Sequence, residues 1–126
     1  AKNKDVREIM KKFQKKIIKK NKRICVEGRD IASTILKKNP RYDLAFYFTC
    51  NLNLASIRRW KDLKKKVPLK EVKKSLSIRT RLDKKRKHSP LKKMRDAILI
   101  RTDKLNKKKV LLKMSQEIEK INYKTL

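Results

Sequence analysis

Leu44-Ala45-Phe46-Tyr47-Phe48-Thr49 is apolar on both its odd and its even positions. A strand with two apolar faces belongs in a parallel sheet covered by helices on both sides, so this one is expected at or near the centre. Upstream, Arg23-Ile24-Cys25-Val26-Glu27-Gly28 is a short apolar run stopped by the only glycine of the chain. It reads as a strand running into a turn at Arg29-Asp30-Ile31. Downstream, Ala97-Ile98-Leu99-Ile100 reads as a third strand.

Helices fill the intervals. From Lys4 to about Lys20, Val6, Ile9, Phe13 and Ile17 recur at spacings of three and four, the core stripe of an amphipathic helix. A helix from Asn53 to Lys66 carries Leu54, Ile57 and the pair Arg58-Arg59, and Pro68 breaks the chain after it. A second runs from about Leu69 to Lys85, the loop His88-Ser89-Pro90-Leu91 follows, and Leu111, Met114, Ile118 and Ile121 mark a last amphipathic helix. The order α-β-β-α-α-β-α suits a parallel three-layer α/β/α domain. Three strands make a thin sheet for that architecture, so the domain is expected to be incomplete at its front.

At 126 residues, with no Pro/Gly/Ser-rich seam, the chain reads as one domain. It has no run approaching the ~20 apolar residues of a membrane span, and AKNKDVREIM is not a secretory leader. The expectation is a soluble, cytoplasmic protein with no membrane partner. Cys25 and Cys50 lie in apolar runs without CxxC spacing, with only His88 as a soft-ligand companion; buried, reduced thiols are expected. The formal net charge of +29 points to a polyanion. Lysines, however, sit on the polar positions of nearly every helix (Lys11, Lys12, Lys15, Lys16, Lys19, Lys20; Lys64 to Lys66; Lys107 to Lys109), as solvated faces do. Aromatic-and-glycine patterns of RNA recognition and zinc-finger spacings are both missing. Non-specific polyanion binding is expected, and a dedicated basic nucleic-acid-binding protein is the alternative reading.

Two segments carry chemistry. Leu69, Val72, Leu76, Arg79, Asp83 and Arg86 are spaced three, four, three, four and three, so they share one helical face that turns from apolar to charged. Such a face presents a polar fork to a cleft, or else a surface ion-pair ladder worth ~0.3–0.5 kcal/mol per pair. Ile78 and Leu82 form a second apolar flank that leaves the helix rotation open. Val26-Glu27-Gly28-Arg29-Asp30 puts a guanidinium and a carboxylate just past the carboxyl end of the expected strand, where open α/β sheets bind ligands; an ordinary turn with solvated charges is the plainer alternative.

Taken together, VEGRD, the double arginine Arg58-Arg59, the RxxxDxxR of Arg79, Asp83 and Arg86, the Ser-Pro-Leu beyond it and the strand DAILIRT resemble the bacterial cytidylate kinase family, from about Val6 to Val110. The resemblance implies a P-loop-kinase-type α/β domain with a helical lid over about 54–88, residues 1–126 being the C-terminal portion of a nucleoside monophosphate kinase that is a monomer when complete. It implies transfer of the γ-phosphoryl group of ATP to CMP or dCMP with Mg²⁺. By the same resemblance Arg29 and Arg86 bind the CMP phosphate, Arg79 and Asp83 hold the ribose, and Arg7 with Asp30 reads the cytosine. Arg58 and Arg59 resemble the lid arginines at the ATP phosphates, solvated helix arginines being the plainer alternative, and Glu27 stands near the magnesium site without being a direct ligand, or else is a salt-bridged strand-end carboxylate. Only 11 of the 41 basic residues are Arg, and six of those fall on these positions. That suits a guanidinium, whose planar fork Lys cannot reproduce.

The sequence also departs from the pattern. A phosphate-binding GxxxxGK[ST] needs two glycines, and this chain has one. Ala55 replaces an arginine usual one turn before the double arginine, and Lys37-Lys38 replaces the usual Phe-Pro. The chain alone is therefore expected to be inactive, with weak monophosphate binding. Another small-molecule kinase of the same class, or a scaffold with accidental motifs, are further rivals.

Overall fold

The computed structural model describes residues 3–85 and 92–125. The expected segment His88 to Leu91, and Arg86 with it, lie outside the described residues. Among the described residues seven elements follow in order: α1 (Lys4–Lys20), a π-helical turn (Ile31–Ile35), β1 (Phe46–Thr49), α2 (Leu52–Asp62), α3 (Leu69–Lys84), β2 (Ile98–Arg101) and α4 (Lys107–Thr125). The chain falls into two compact units, residues 1–43 with 81–95 and residues 44–80 with 96–126, so that the last residues of α3 count with the first unit and the rest with the second.

The second unit is the parallel α/β part. β1 and β2 pair in parallel, Phe46 opposite Ile98 and Phe48 opposite Ile100, with α2 and α3 in the crossover between them. A parallel pair cannot be joined by a tight turn, so the helical crossover is what the pairing demands. Ala45, Val72, Ala97 and Ile100 are its buried apolar residues, Ile100 at 1% exposure. Strand β1 had been expected to be central and buried on both faces, but Phe48 is half exposed. Among the described residues the sheet has two strands, so β1 has a neighbour on one side only.

Past α2 the chain reverses through Lys64 and Lys65, both left-handed at φ 54° and 58°. The Lys65 amide donates to the Trp60 carbonyl at 2.9 Å, and its ammonium lies 5.0 Å from the indole centroid. A left-handed non-glycine residue costs roughly 1–2 kcal/mol. Lys64→Gly is therefore expected to raise stability by about 0.5–1 kcal/mol, net of glycine's larger unfolded-state entropy, read as a higher urea midpoint. A lowered midpoint would contradict it.

The first unit has a small core of Ile18, Ile35 and Leu36, with Val26, Ile31 and Tyr42 packed against it. Two expectations fail here. Residues 24–28 are irregular and not a strand. A strand is held by its ladder, and no backbone ladder engages this run among the described residues. The stripe of α1 read as core-facing is exposed instead, Ile9 at 67% and Phe13 at 58%. The helix turns Ile18 inward, with Arg7, Lys11, Gln14 and Lys15 half-buried on the same side. One flank of α1 suffices to cover so small a core. Cys25, expected to be buried, is exposed for the same reason, while Cys50 is half-buried; both thiols are free.

Helix α3 resolves the rotation left open by its two apolar flanks. Val72 and Asp83 are buried and Leu76 half-buried, whereas Leu69, Ile78 and Leu82 are exposed.

Candidate functional site

Within the first unit, Gly28 makes a close turn possible. A Cβ built there would lie 2.5 Å from Ile31 Cγ1 and 2.9 Å from Cδ1, so any larger residue would force the side chain of Ile31, which opens the π-helical turn, to move. That turn closes on the carbonyl of Asp30, which accepts from the Thr34 amide at 2.9 Å and the Ser33 hydroxyl at 3.2 Å, while the Leu36 amide reaches Ile31 O at 2.8 Å. The wider π spacing leaves Arg29 and Asp30 half-buried at the turn's entrance.

Arg29 then forms an ion pair with Asp83 near the end of α3. The two are 54 residues apart in sequence, and each had been singled out from a different motif. The Asp83 side chain is 11% exposed and that of Arg29 33%. A carboxylate buried to this degree needs a partner of opposite charge, which the guanidinium supplies. Arg7, on α1, is half-buried in the same unit, and both it and Asp30 are engaged in polar interactions. Four predicted substrate-side residues, Arg7, Arg29, Asp30 and Asp83, thus belong to one compact unit. Arg79, one turn before Asp83 on α3, is exposed, and so is Glu27. Among the described residues no three His, Cys, Asp or Glu side chains gather as a metal set.

The double arginine lies in the other unit, on α2. Asn51 caps this helix, its Oδ1 accepting from the amides of Asn53 (2.8 Å) and Leu54 (3.2 Å). Its own amide donates to Asp103 Oδ2 at 3.1 Å. Arg58 is turned inward and forks onto one residue, Nη2 to Thr102 O at 2.8 Å and Nη1 to Thr102 Oγ1 at 3.0 Å, with Cys50 Sγ 3.5 Å from Nη1. Arg59 is exposed. This ring of Asn51, Arg58, Thr102 and Asp103 was not anticipated. The cap was readable as Asn before an apolar run, but Thr102 is 44 residues from Arg58 and nothing local in the sequence connects them.

A parallel strand pair with a two-helix crossover, an arginine of that crossover fixed just past the end of β2, and an arginine–aspartate pair beside a tight glycine turn define an α/β protein in keeping with part of a P-loop-kinase-type domain. The comparison with known proteins narrows this class. A family model described as cytidylate kinase matches residues 1–120, and the chain belongs to that family. It is similar to the cytidylate kinase of Rickettsia akari (strain Hartford), 32% identical over 118 residues that make up 91% of this chain and 52% of that protein. It is also similar to the cytidylate kinases of Clostridium botulinum (strain Okra / Type B1), 34% identical over 92% of this chain and 53% of that protein, and of Thermosipho melanesiensis, 34% over 88% and 51%. The chain spans about half the length of the curated relatives it matches. No helix among the described residues is long and apolar enough to cross a membrane.

Proposed function

We propose that this chain supplies the monophosphate-gripping part of an enzyme that moves the γ-phosphoryl group of ATP to CMP or dCMP, as the C-terminal portion of a single kinase domain. The observation that carries this reading is the Arg29–Asp83 pair, which joins two motifs that sequence alone kept apart. In the proposal Arg29 and Arg86 hold the phosphate of CMP, Arg79 and Asp83 the ribose, and Arg7 with Asp30 the base edge. The arginines suit this because a guanidinium offers parallel N–H donors to phosphate oxygens or to a planar base. The pair is then a resting state: the arriving phosphate takes over the guanidinium, and the Asp83 carboxylate accepts from a ribose hydroxyl in exchange.

Phosphoryl transfer asks the protein mainly for positioning and for cations around the migrating group. In the proposal the double arginine of α2 brings a cation to that side of the reaction. Among the described residues no cluster of His, Cys, Asp or Glu forms a metal centre, and Mg²⁺ would arrive with ATP, where it would neutralise charge on the phosphates. The chain's single glycine rules out a GxxxxGK[ST] cradle within these 126 residues, and ATP-dependent turnover by this chain alone is not expected.

Calorimetric titration of the chain with CMP and AMP at two salt concentrations tests the reading. The expected result is CMP binding with a dissociation constant of ~0.1–1 mM, about tenfold tighter than AMP. Equal binding of both nucleotides, weakening steeply with salt, would instead favour the nucleic-acid reading that the +29 charge invites.

A further inference from the structure

Arg58 and Arg59 are neighbours in sequence, but successive residues on an α-helix point about 100° apart. Their surroundings differ accordingly. Both terminal nitrogens of Arg58 are committed to Thr102, one to its carbonyl and one to its hydroxyl. Thr102 is itself fixed: its amide and its hydroxyl both donate to Thr49 O, at 2.9 and 3.1 Å. The first turn of α2 is held to the same place through Asn51 and Asp103. Arg59, by contrast, is exposed on α2, with no hydrogen bond or ion pair to its guanidinium among the described residues.

We propose that Arg58 is a positioning residue, its guanidinium locking α2 onto the end of β2, and that Arg59 is the member of the pair that α2 presents to an anionic phosphate. The second half rests on the kinase reading above. For Arg58 to reach a phosphate it would have to leave a half-buried carbonyl and hydroxyl behind, and an abandoned buried polar group is costly. A lysine at position 58 would keep the charge but not the fork, which separates the two roles.

The test is amide hydrogen exchange at Thr102, together with the guanidinium Nε–H resonances followed while inorganic tripolyphosphate is added, in the full chain and in Arg58→Lys, Thr102→Val and Arg59→Lys. Arg58→Lys and Thr102→Val are each expected to speed exchange of the residue 102 amide by about tenfold, and together by little more than either alone, because they break one link. Arg59→Lys should leave that exchange unchanged. Tripolyphosphate should shift the Arg59 Nε–H and leave that of Arg58 in place. A residue 102 amide that is unprotected in the parent chain, or unaffected by Arg58→Lys, would overturn the anchoring role, as would an Arg58 resonance that moves with tripolyphosphate. If tripolyphosphate moves neither arginine, the Arg59 assignment falls together with the kinase reading of α2, and the exchange data show whether the Arg58–Thr102 link outlives it.

Discussion

Arg29→Ala is expected to lower the stability of the unit that contains it by about 2–3 kcal/mol and to abolish measurable CMP binding. Removing one member of a buried ion pair commonly costs 3–5 kcal/mol, because the other charge is left without compensation. The figure here is reduced because the Arg29 side chain is one-third exposed, so water can reach part of the vacated site. Asp83 bears the cost: the residue is 7% exposed. Removing both partners, in Arg29→Leu with Asp83→Leu, should therefore recover much of the lost stability without recovering binding. Arg29→Lys should sit between the two, keeping a charge but losing the parallel donors. Urea unfolding and CMP calorimetry on the same four proteins give both readouts. If Arg29→Ala unfolds at the parent's midpoint, the pair does not hold the unit together. If it also binds CMP unchanged, Arg29 is no phosphate ligand.

The Arg29–Asp83 pair joins two segments that were legible in the sequence through a contact that was not. GRD and RxxxDxxR were each legible, because a lone glycine beside charges and a three-four spacing are local signals. That Arg29 meets Asp83 is a tertiary fact with no local mark. The π-helical turn is another such fact, since its i to i+5 spacing leaves the apolar pattern of Ile31 and Ile35 looking like any short helix. The strand expected at 23–28 and the inward stripe expected on α1 both failed for one reason. Apolar periodicity says that a surface is suited to burial, and it does not say what will bury it. β1 and β2 formed where the pattern put them because each supplies the other's ladder. Residues 24–28 carry the same kind of apolar run and form none.

That distinction yields a prediction of comparable size. Ile100→Ala should cost about 3 kcal/mol, within the 2–5 expected for truncating a well-buried isoleucine, whereas Phe13→Ala should cost less than about 1. By sequence pattern alone the order would be reversed: Phe13 is the larger side chain, at the centre of the most regular apolar stripe in the chain, and a core phenylalanine is worth 3–5 kcal/mol. Burial decides otherwise, since Ile100 is 1% exposed and sits opposite Phe48 in the parallel ladder, while Phe13 is 58% exposed. A cavity opened at Ile100 loses dispersion contacts on every side, and the short strands around it have few neighbours with which to collapse into the gap. Unfolding followed through the fluorescence of Trp60, half-buried in the same unit as Ile100, reports the first loss directly, and far-ultraviolet circular dichroism follows α1 for the second. A Phe13→Ala cost as large as that of Ile100→Ala would mean that the stripe on α1 is covered in solution, by a surface the described residues do not provide. A small cost would mean that the stripe stays open on this chain by itself, a surface shaped for burial with nothing yet laid against it.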